Sequence, residues 1–173
     1  IDLSMPVSSY PNSNGLIPVI EALDGQLITN KLYLPATIVD DCLVSNTADD
    51  ILKMVVVNRY HMAPVAKSFI KNFGFRTGAI ASTVAHDSHN IVAVGATDEA
   101  IAAAINAVIA AEGGISCVDS HNQTLVLPLP VAGLMSTEDG FLVAQQYTAI
   151  DAMAKSLGSS LSAPFMTLSF MAL

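Results

Sequence analysis

Five polar residues follow one another near the middle of the chain: His86, Asp87, Ser88, His89 and Asn90. The segments on either side, Ala-Ile-Ala-Ser-Thr-Val-Ala before and Ile-Val-Ala-Val-Gly after, are apolar enough to be buried strands. Because an unpaired polar group in the interior costs about 1–3 kcal/mol, these side chains must find partners or face a cleft. Imidazole and carboxylate groups commonly carry protons in hydrolysis. We call residues 86–90 the polar loop and predict a functional site there.

The spacing of His86 and His89 also raises the question of metal binding. On a helix, two histidines three positions apart would share one face and could bind a metal ion. The polar loop lies between two predicted strands, however, and a third ligand would have to be Asp87, His61 or His121. The spacing selects none of these three, so we predict no metal site in this chain.

Two other interpretations of the polar loop stay open at the level of sequence. Aspartate, serine and asparagine hydrogen-bond their own backbone in tight turns, so the loop can be a purely structural turn. A hydrolase triad can also be drawn from Ser82 or Ser88 with His86 and Asp119. No Gly-x-Ser-x-Gly motif supports such a triad.

Arg59 and His61 form a second candidate group, because they follow the predicted strand Ile51–Val57 almost directly. Side chains at the end of a central strand can point into the same cleft as a neighbouring loop. In that position Arg59 could pair with Asp87 or orient a bound base. The alternative is an arginine on the surface and a solvated histidine.

Capping residues and apolar spacing predict the helices. The first begins at Thr97, an N-cap followed by two acids that favour the exposed N–H groups, and it ends at Gly113-Gly114. The second begins at Ser136, with Asp139 at the capping-box position. A shorter helix is predicted over Ala63–Asn72, where apolar and basic residues separate onto two sides.

The remaining segments read as strands, several of them joined by hairpins rather than by helical crossovers. Asp24-Gly25 marks one hairpin turn, and Asp119–Asn122 marks another. Pro128 and Pro130 exclude a central strand at that point, so an edge segment is expected there. The predicted strands include Leu16–Ile20, Gln26–Thr29, Ile51–Val57, Gly114–Val118 and Thr124–Leu127. This arrangement predicts an α+β fold, a mostly antiparallel β-sheet with helices packed on it.

The composition limits the partners that the chain can have. Hydrophobic residues make up 52% and charged residues 13% of the sequence, against about 25% charged in average domains. So low a fraction of charged residues suggests that another domain or a second copy of the chain covers part of the surface. A homo-oligomer is therefore expected. The net charge of −8 and seven scattered basic residues exclude the clustered basic face that nucleic acids need.

The sequence does not indicate a membrane or a secreted protein. The uncharged run 156–173 contains a glycine, a proline and several serines, which make it a poor membrane span. Cys42 and Cys117 lie far apart and form no disulfide pattern. Reduced thiols in the cytoplasm are therefore expected.

Segments along most of the chain resemble a known family. The matching segments are Gly25–Thr29, Asp50–His61, Ala66–Phe75, Ala85–Gly95, Leu127–Ser136 and Pro164–Met171. In this order they resemble the C-terminal domain of bacterial-type adenine deaminases, which belong to the amidohydrolase superfamily. The resemblance predicts that residues 16–173 form such a domain, truncated at its end. Residues 1–15 match nothing and are predicted to be a linker or irregular segment.

The resemblance implies that the whole enzyme hydrolyses adenine, or a related aminopurine, to hypoxanthine and ammonia in purine salvage. The family holds manganese or iron in an N-terminal barrel, with ligands that include a His-x-His pair. This chain has no His-x-His, and its 173 residues are too few for a barrel of about 250. We therefore expect a piece of the enzyme, without the barrel and without a cofactor of its own, that is inactive alone.

The resemblance also implies a role for the polar loop, which we expect to line or cover the active site of the barrel domain. The expected catalytic residues are His86, Asp87 and His89, and the expected lid or substrate-side residues are Ser88, Asn90, Arg59 and His61. The competing hypothesis is a scaffold or oligomerisation domain that never touches substrate.

Overall fold

The computed structural model describes residues 1–10 and 15–172, so that residues 11–14 and 173 lie outside the description. The described strands are β1 Leu16–Glu21, β2 Asn30–Pro35, β3 Thr37–Val39, β4 Cys42–Val44, β5 Ile51–Val57, β6 Ala66–Lys71, β7 Ala79–Ser82, β8 Ile91–Gly95, β9 Gly114–Val118 and β10 Thr124–Pro128. The described helices are α1 Asp98–Ala110, α2 Gly140–Ser156 and α3 Pro164–Leu168, with a 3-10 turn at Val7–Ser9.

Eight of these strands form one sheet in the order β10-β9-β7-β8-β5-β6-β1-β2, while β3 and β4 pair separately. Neighbouring strands are antiparallel except for β1 and β6, which are parallel. The three helices pack on this sheet. The predicted α+β fold with a mostly antiparallel sheet is therefore confirmed. β5 lies inside the sheet and β10 lies at its edge, also as predicted.

Strands β7, β8 and β9 are buried throughout, because helices cover both faces of the sheet there. Ala79 and Ala81 of β7 pack in a cluster with α1, whereas Ile80 packs in the cluster that contains α2 and α3. This alternation follows from the period of two along a strand. Helix α1 lies so close that a Cβ on Gly95 would sit 2.7 Å from Cγ1 of Ile101. A glycine is required there by this close approach.

The predicted helix at Ala63–Asn72 is wrong, because most of this segment forms β6. Its apolar residues fit a helical spacing, but the backbone pairs with β5 on one side and β1 on the other. Phe69 and the adjacent Ile70 are both buried, in two different clusters. Neighbouring residues point to opposite faces only in a strand, and sheet pairing overrides the weak helical preference.

Two element boundaries also differ from prediction. Gln26–Thr29 is not a strand; the partner of β1 is Asn30–Pro35, one segment later. Helix α2 begins after Asp139, whose Oδ1 accepts from the Phe141 N–H at 2.9 Å, so Asp139 is the N-cap. Ser136 lies further upstream and accepts only from the Glu138 N–H at 3.1 Å. The predicted cap at Thr97 is confirmed, since its side chain accepts from the Ala100 N–H.

The described part of the N-terminal segment packs against the sheet. Leu3 is 3% exposed and joins the cluster around α1. Its carbonyl accepts from Nζ of Lys53, a buried residue of β5, at 2.9 Å. The same Nζ donates to both carboxylate oxygens of Asp98, the first residue of α1, at 2.6 and 2.8 Å. Lys53 therefore joins the N-terminal segment and α1 to the centre of the sheet.

Candidate functional site

Antiparallel pairing brings several loops to one end of the sheet. Val57 of β5 pairs with Ile91 of β8, and Ser82 of β7 pairs with both Val92 of β8 and Ile115 of β9. β5 and β7 therefore end where β8 and β9 begin, and β10 ends there as well. We call this the loop end of the sheet, which consists of residues 58–65, 83–90, 111–113 and 129–135.

The polar loop is anchored to the segment that follows α3. The backbone N–H of His86 donates to the Ser169 carbonyl at 2.8 Å. The imidazole of His86 stacks on the ring of Phe170, with centroids 4.7 Å apart and planes 11° apart. The His89 N–H donates to the Ala85 carbonyl at 2.7 Å and closes the loop. These contacts hold the position of the loop relative to the sheet.

The first two side chains of the polar loop face outward. The side chain of His86 is 45% exposed and that of Asp87 is 96% exposed. His86 Nδ1 lies 3.9 Å from Asp87 Oδ1. An imidazole and a carboxylate at this separation, both accessible, can exchange protons with a molecule bound against the loop. Ser88 is also exposed, and its Oγ accepts from the Asn90 N–H at 3.4 Å.

Buried polar atoms without partners concentrate at the loop end. Among the residues that the structure describes, four buried side-chain atoms lack a hydrogen-bond partner. Three of them are His89 Nδ1, Asn90 Oδ1 and Arg59 Nε, and the fourth is Asp151 Oδ1. The interpretation of the polar loop as a simple turn predicts that its polar groups satisfy one another. His89 and Asn90 do not fit that expectation.

Arg59 lies at the loop end but not against Asp87. Its Nη2 donates to the carbonyl of Ala132, and its guanidinium carbon lies 5.2 Å from the centroid of the Tyr60 ring. No ion pair joins Arg59 to Asp87 among the described residues. A Cβ on Gly133 would lie 2.0 Å from Arg59 Nη1, and Gly133 has a φ of +73°. The guanidinium therefore lies directly against Gly133, and any other residue at position 133 would force Arg59 to move.

His61 belongs to a surface turn at the same end. It is exposed, and its Nε2 lies 3.3 Å from Nδ2 of Asn58. Oδ1 of Asn58 accepts from the backbone N–H groups of Tyr60 and His61, at 2.9 and 3.1 Å. No hydrogen bond connects His61 with the polar loop within residues 1–10 and 15–172. The two candidate groups thus share one end of the sheet without direct contact.

Thr83 and Glu112 are residues of this region that the sequence interpretation missed. Oγ1 of the buried Thr83 lies 2.6 Å from the Gly133 carbonyl and accepts from the Gly114 N–H at 2.8 Å. It thereby ties β7 to β9 and to the loop beneath Arg59. Glu112 lines a cavity together with Arg59. In the sequence, Glu112 directly precedes Gly113-Gly114, and this position indicates only that a helix ends there.

The tetrapeptide Asp-Ser-His-Asn of the polar loop occurs a second time, at Asp119–Asn122. There it forms the turn between β9 and β10, at the opposite end of both strands. Asp119 Oδ1 accepts from the N–H groups of His121 and Gln123, at 2.8 and 2.9 Å. The side chain of His121 is 80% exposed. This second copy is an ordinary surface turn and offers an internal comparison for the polar loop.

The described residues do not fit a metal centre. No group of three or more His, Cys, Asp or Glu side chains comes together to hold an ion in residues 1–10 and 15–172. The rings of His86 and His89 have centroids 6.3 Å apart and are tilted by 57°. Manganese or iron would need more ligands than this pair supplies. Within the same ranges, no helix has the length and apolar character to span a membrane.

Comparison with known proteins identifies the family. The model of the family described as "Adenine deaminase C-terminal domain" matches residues 26–173. The chain is 49% identical to an adenine deaminase of Methanosarcina barkeri, in a match that covers 100% of this chain and 31% of the relative. It is 52% identical to an adenine deaminase of Methanosarcina mazei, covering 91% of this chain and 28% of the relative.

A bacterial relative shows the same pattern. The chain is 45% identical to an adenine deaminase of Borreliella burgdorferi, over 95% of this chain and 30% of the relative. The chain thus spans about a third of the length of the curated relatives that it matches. The resemblance that the sequence segments predict is confirmed: this chain belongs to the adenine deaminase C-terminal domain family.

Proposed function

We propose that this chain is the C-terminal domain of an enzyme that hydrolyses adenine to hypoxanthine and ammonia. The family match supports this proposal, as do the relatives at 45–52% identity that carry the name adenine deaminase. Because the chain spans about a third of those relatives, we assign the reaction to a longer enzyme. Adenine is the proposed substrate, and related aminopurines share the chemistry of its exocyclic amine.

The observation that carries the role of this domain is the set of unpartnered polar atoms at the loop end. Arg59, His89 and Asn90 each bury a side-chain atom without a described partner. Apolar side chains are exposed at the same end, with Met62 at 99% and Met135 at 57%. Large exposed apolar side chains are typical of a surface that another surface covers, and unpartnered polar atoms at the same end are unusual in a purely structural turn. We therefore assign the loop end to contact with the rest of the enzyme.

In the proposed arrangement, the polar loop covers the substrate. A lid of this kind excludes water other than the attacking molecule and completes the binding site. His86 and Asp87, the exposed pair, are the proposed catalytic residues that transfer a proton toward the departing amine. His89 completes the proposed catalytic set, and Ser88 and Asn90 shape the loop. Arg59 and His61 belong to the substrate side of the lid.

The metal that the family resemblance implies, manganese or iron, is proposed to lie in the barrel domain. When bound, such a metal activates water for attack on the carbon that bears the amine. The described residues of this chain offer no matching ligand set, so the role proposed for this domain uses its side chains alone.

Purine salvage in the cytoplasm is the proposed setting, and the two free cysteines are typical of a reducing compartment. Assembly into a homo-oligomer stays a prediction from the low charged fraction.

The competing function is a scaffold that never meets substrate. The contacts of His86 with Ser169 and Phe170 are compatible with this alternative, since they would serve a structural loop equally well.

Replacing residues 86–90 of the full-length enzyme by a Gly/Ser loop separates the two functions. The lid hypothesis predicts that turnover of adenine falls by about a hundredfold or more, the usual scale for acid–base groups, while the protein stays folded. The matched control replaces residues 119–122, the second Asp-Ser-His-Asn turn, and should leave turnover unchanged. Full turnover in the first variant would support the scaffold.

A further inference from the structure

A cavity of about 410 Å³ opens between the end of β5 and the C-terminal end of α1. This volume lies within the range of small-molecule sites in proteins. Its apolar wall consists of Val57, Ile91, Val108 and Ile109. Arg59 and Glu112 also line it, so that one basic and one acidic residue share an apolar cavity.

Arg59 is held in place from several sides. Its Nη2 donates to the Ala132 carbonyl, its guanidinium lies against Tyr60, and the absence of a side chain at Gly133 makes room for Nη1. No carboxylate lies within 4.0 Å of the guanidinium among the described residues, and Nε is buried without a partner. A fixed arginine has five N–H donors in a rigid plane, which suits it to bind a planar acceptor.

The cavity lining selects among ligand classes. An inorganic anion would use Arg59 but would gain nothing from the apolar wall, and the carboxylate of Glu112 would repel it. A flat heterocycle places its faces against the apolar wall and presents acceptor and donor atoms at its edge. Arg59 is suited to the ring acceptors, and Glu112 is suited to an amine or a ring N–H. Purine bases carry both kinds of group on one small planar ring system.

We propose that this cavity binds a purine base, with Arg59 and Glu112 forming hydrogen bonds to the edge of the ring system. The choice of purine among planar heterocycles rests on the proposed function, whereas the need for a flat ring with both donors and acceptors rests on the cavity itself. The proposal adds to this chain a ligand site that includes Glu112 and the apolar wall around Ile109.

Calorimetric titration of the full 173-residue chain with adenine tests the proposal, with circular dichroism as the check on folding. Adenine should bind saturably, and benzoate and inorganic phosphate should bind at least tenfold more weakly. Arg59→Gln should weaken adenine binding at least tenfold. Ile109→Trp, which fills the cavity without changing charge, should abolish it. Arg76→Gln, the matched control at the other arginine of the chain, should leave it unchanged.

Three outcomes would overturn the proposal. The folded chain could show no saturable binding of adenine, or Arg59→Gln and Ile109→Trp could bind adenine as tightly as the unchanged chain. The third is binding of benzoate or phosphate that is tighter than the binding of adenine. Because Ile109→Trp leaves Arg59 intact, the test holds even where Arg59→Gln disturbs folding. An assay of the full-length enzyme separates this proposal from the proposed function. Deamination without binding by the chain refutes the cavity alone, and binding without deamination refutes the function alone.

Discussion

The ring of His86 lies parallel to the ring of Phe170, with centroids 4.7 Å apart, so the polar loop rests on a residue eighty-four positions further along the chain. Stacked aromatic pairs contribute about 0.5–1.5 kcal/mol beyond the area that they bury. The contact fixes the plane of the one imidazole that we place nearest the substrate.

Phe170→Ala should therefore lower turnover of the full-length enzyme by about tenfold, because the His86 ring loses its support. It should also lower the free energy of unfolding by about 1–3 kcal/mol, the range expected for a partly buried aromatic residue. Steady-state kinetics and urea denaturation measure the two effects. Phe141→Ala is the control, since Phe141 is 89% exposed. Equal turnover in the two variants would mean that the stacking has no role in the reaction.

His86→Asn or Asp87→Asn should lower turnover by about a hundredfold or more, because each removes a group that can transfer protons. His121→Asn should change turnover by less than about twofold, since His121 occupies the exposed second copy of the tetrapeptide. Steady-state kinetics of the full-length enzyme measures these effects. Similar, small effects at all three positions would show that the polar loop is only a turn.

Asp98→Asn should destabilise the fold by about 2–4 kcal/mol. The substitution leaves the ammonium of the buried Lys53 without its anionic partner, although solvent reaches the Asp98 side chain, which is 38% exposed, and weakens the pair. Urea denaturation of the 173-residue chain measures the loss. Lys155→Met, which removes a partly exposed pair with Asp151 one helical turn away, should cost less than about 1 kcal/mol. Comparable losses in both variants would show that the burial of Lys53 does not make its ion pair more important for stability.

Gly133→Ala should cost more stability than Gly25→Ala. Both glycines have positive φ, +73° and +68°, so both substitutions carry the strain of about 1–2 kcal/mol for a left-handed backbone. Only the new Cβ at Gly133 meets Arg59, whereas nothing lies within 4 Å at Gly25. The difference between the two losses, measured by urea denaturation, isolates the displacement of Arg59. Identical losses would show that Arg59 moves aside freely.

Burial, with a smaller effect of the Asp119 charge, raises the pKa of the Cys117 thiol from 9.0 to about 12. The unfolded chain then loses this proton before the folded chain does. Stability from this group is complete below pH 9 and falls as the pH rises from 9 to about 12. Urea denaturation at pH 8 and pH 11 should show this loss, and Cys117→Ala should show a smaller one. The same pH dependence in both proteins would contradict the raised pKa.

The sequence alone determined the elements whose signals are local. Thr97 is an N-cap whichever fold surrounds it, because its hydroxyl needs only the next turn of its own helix. The hairpin of β9 and β10 is similarly local, since its turn satisfies its own backbone through Asp119. The apolar runs on either side of the polar loop require burial, and because they are too short for buried helices they indicate strands inside a sheet. Segments of this kind also sufficed to identify the family.

Tertiary structure decided what depends on partners distant in sequence. The segment Ala63–Asn72 has a spacing that suits a helix, and only its hydrogen bonds to β1 and β5 make it a strand. The same tetrapeptide makes a self-satisfied turn at Asp119–Asn122 and an incomplete polar surface at Asp87–Asn90. The two copies differ in their surroundings: His121 of one copy is 80% exposed, whereas the other copy directly follows His86, which Ser169 and Phe170 hold in place. A sequence specifies hydrogen-bonding capacity, but only the packed chain decides which groups are left without a partner.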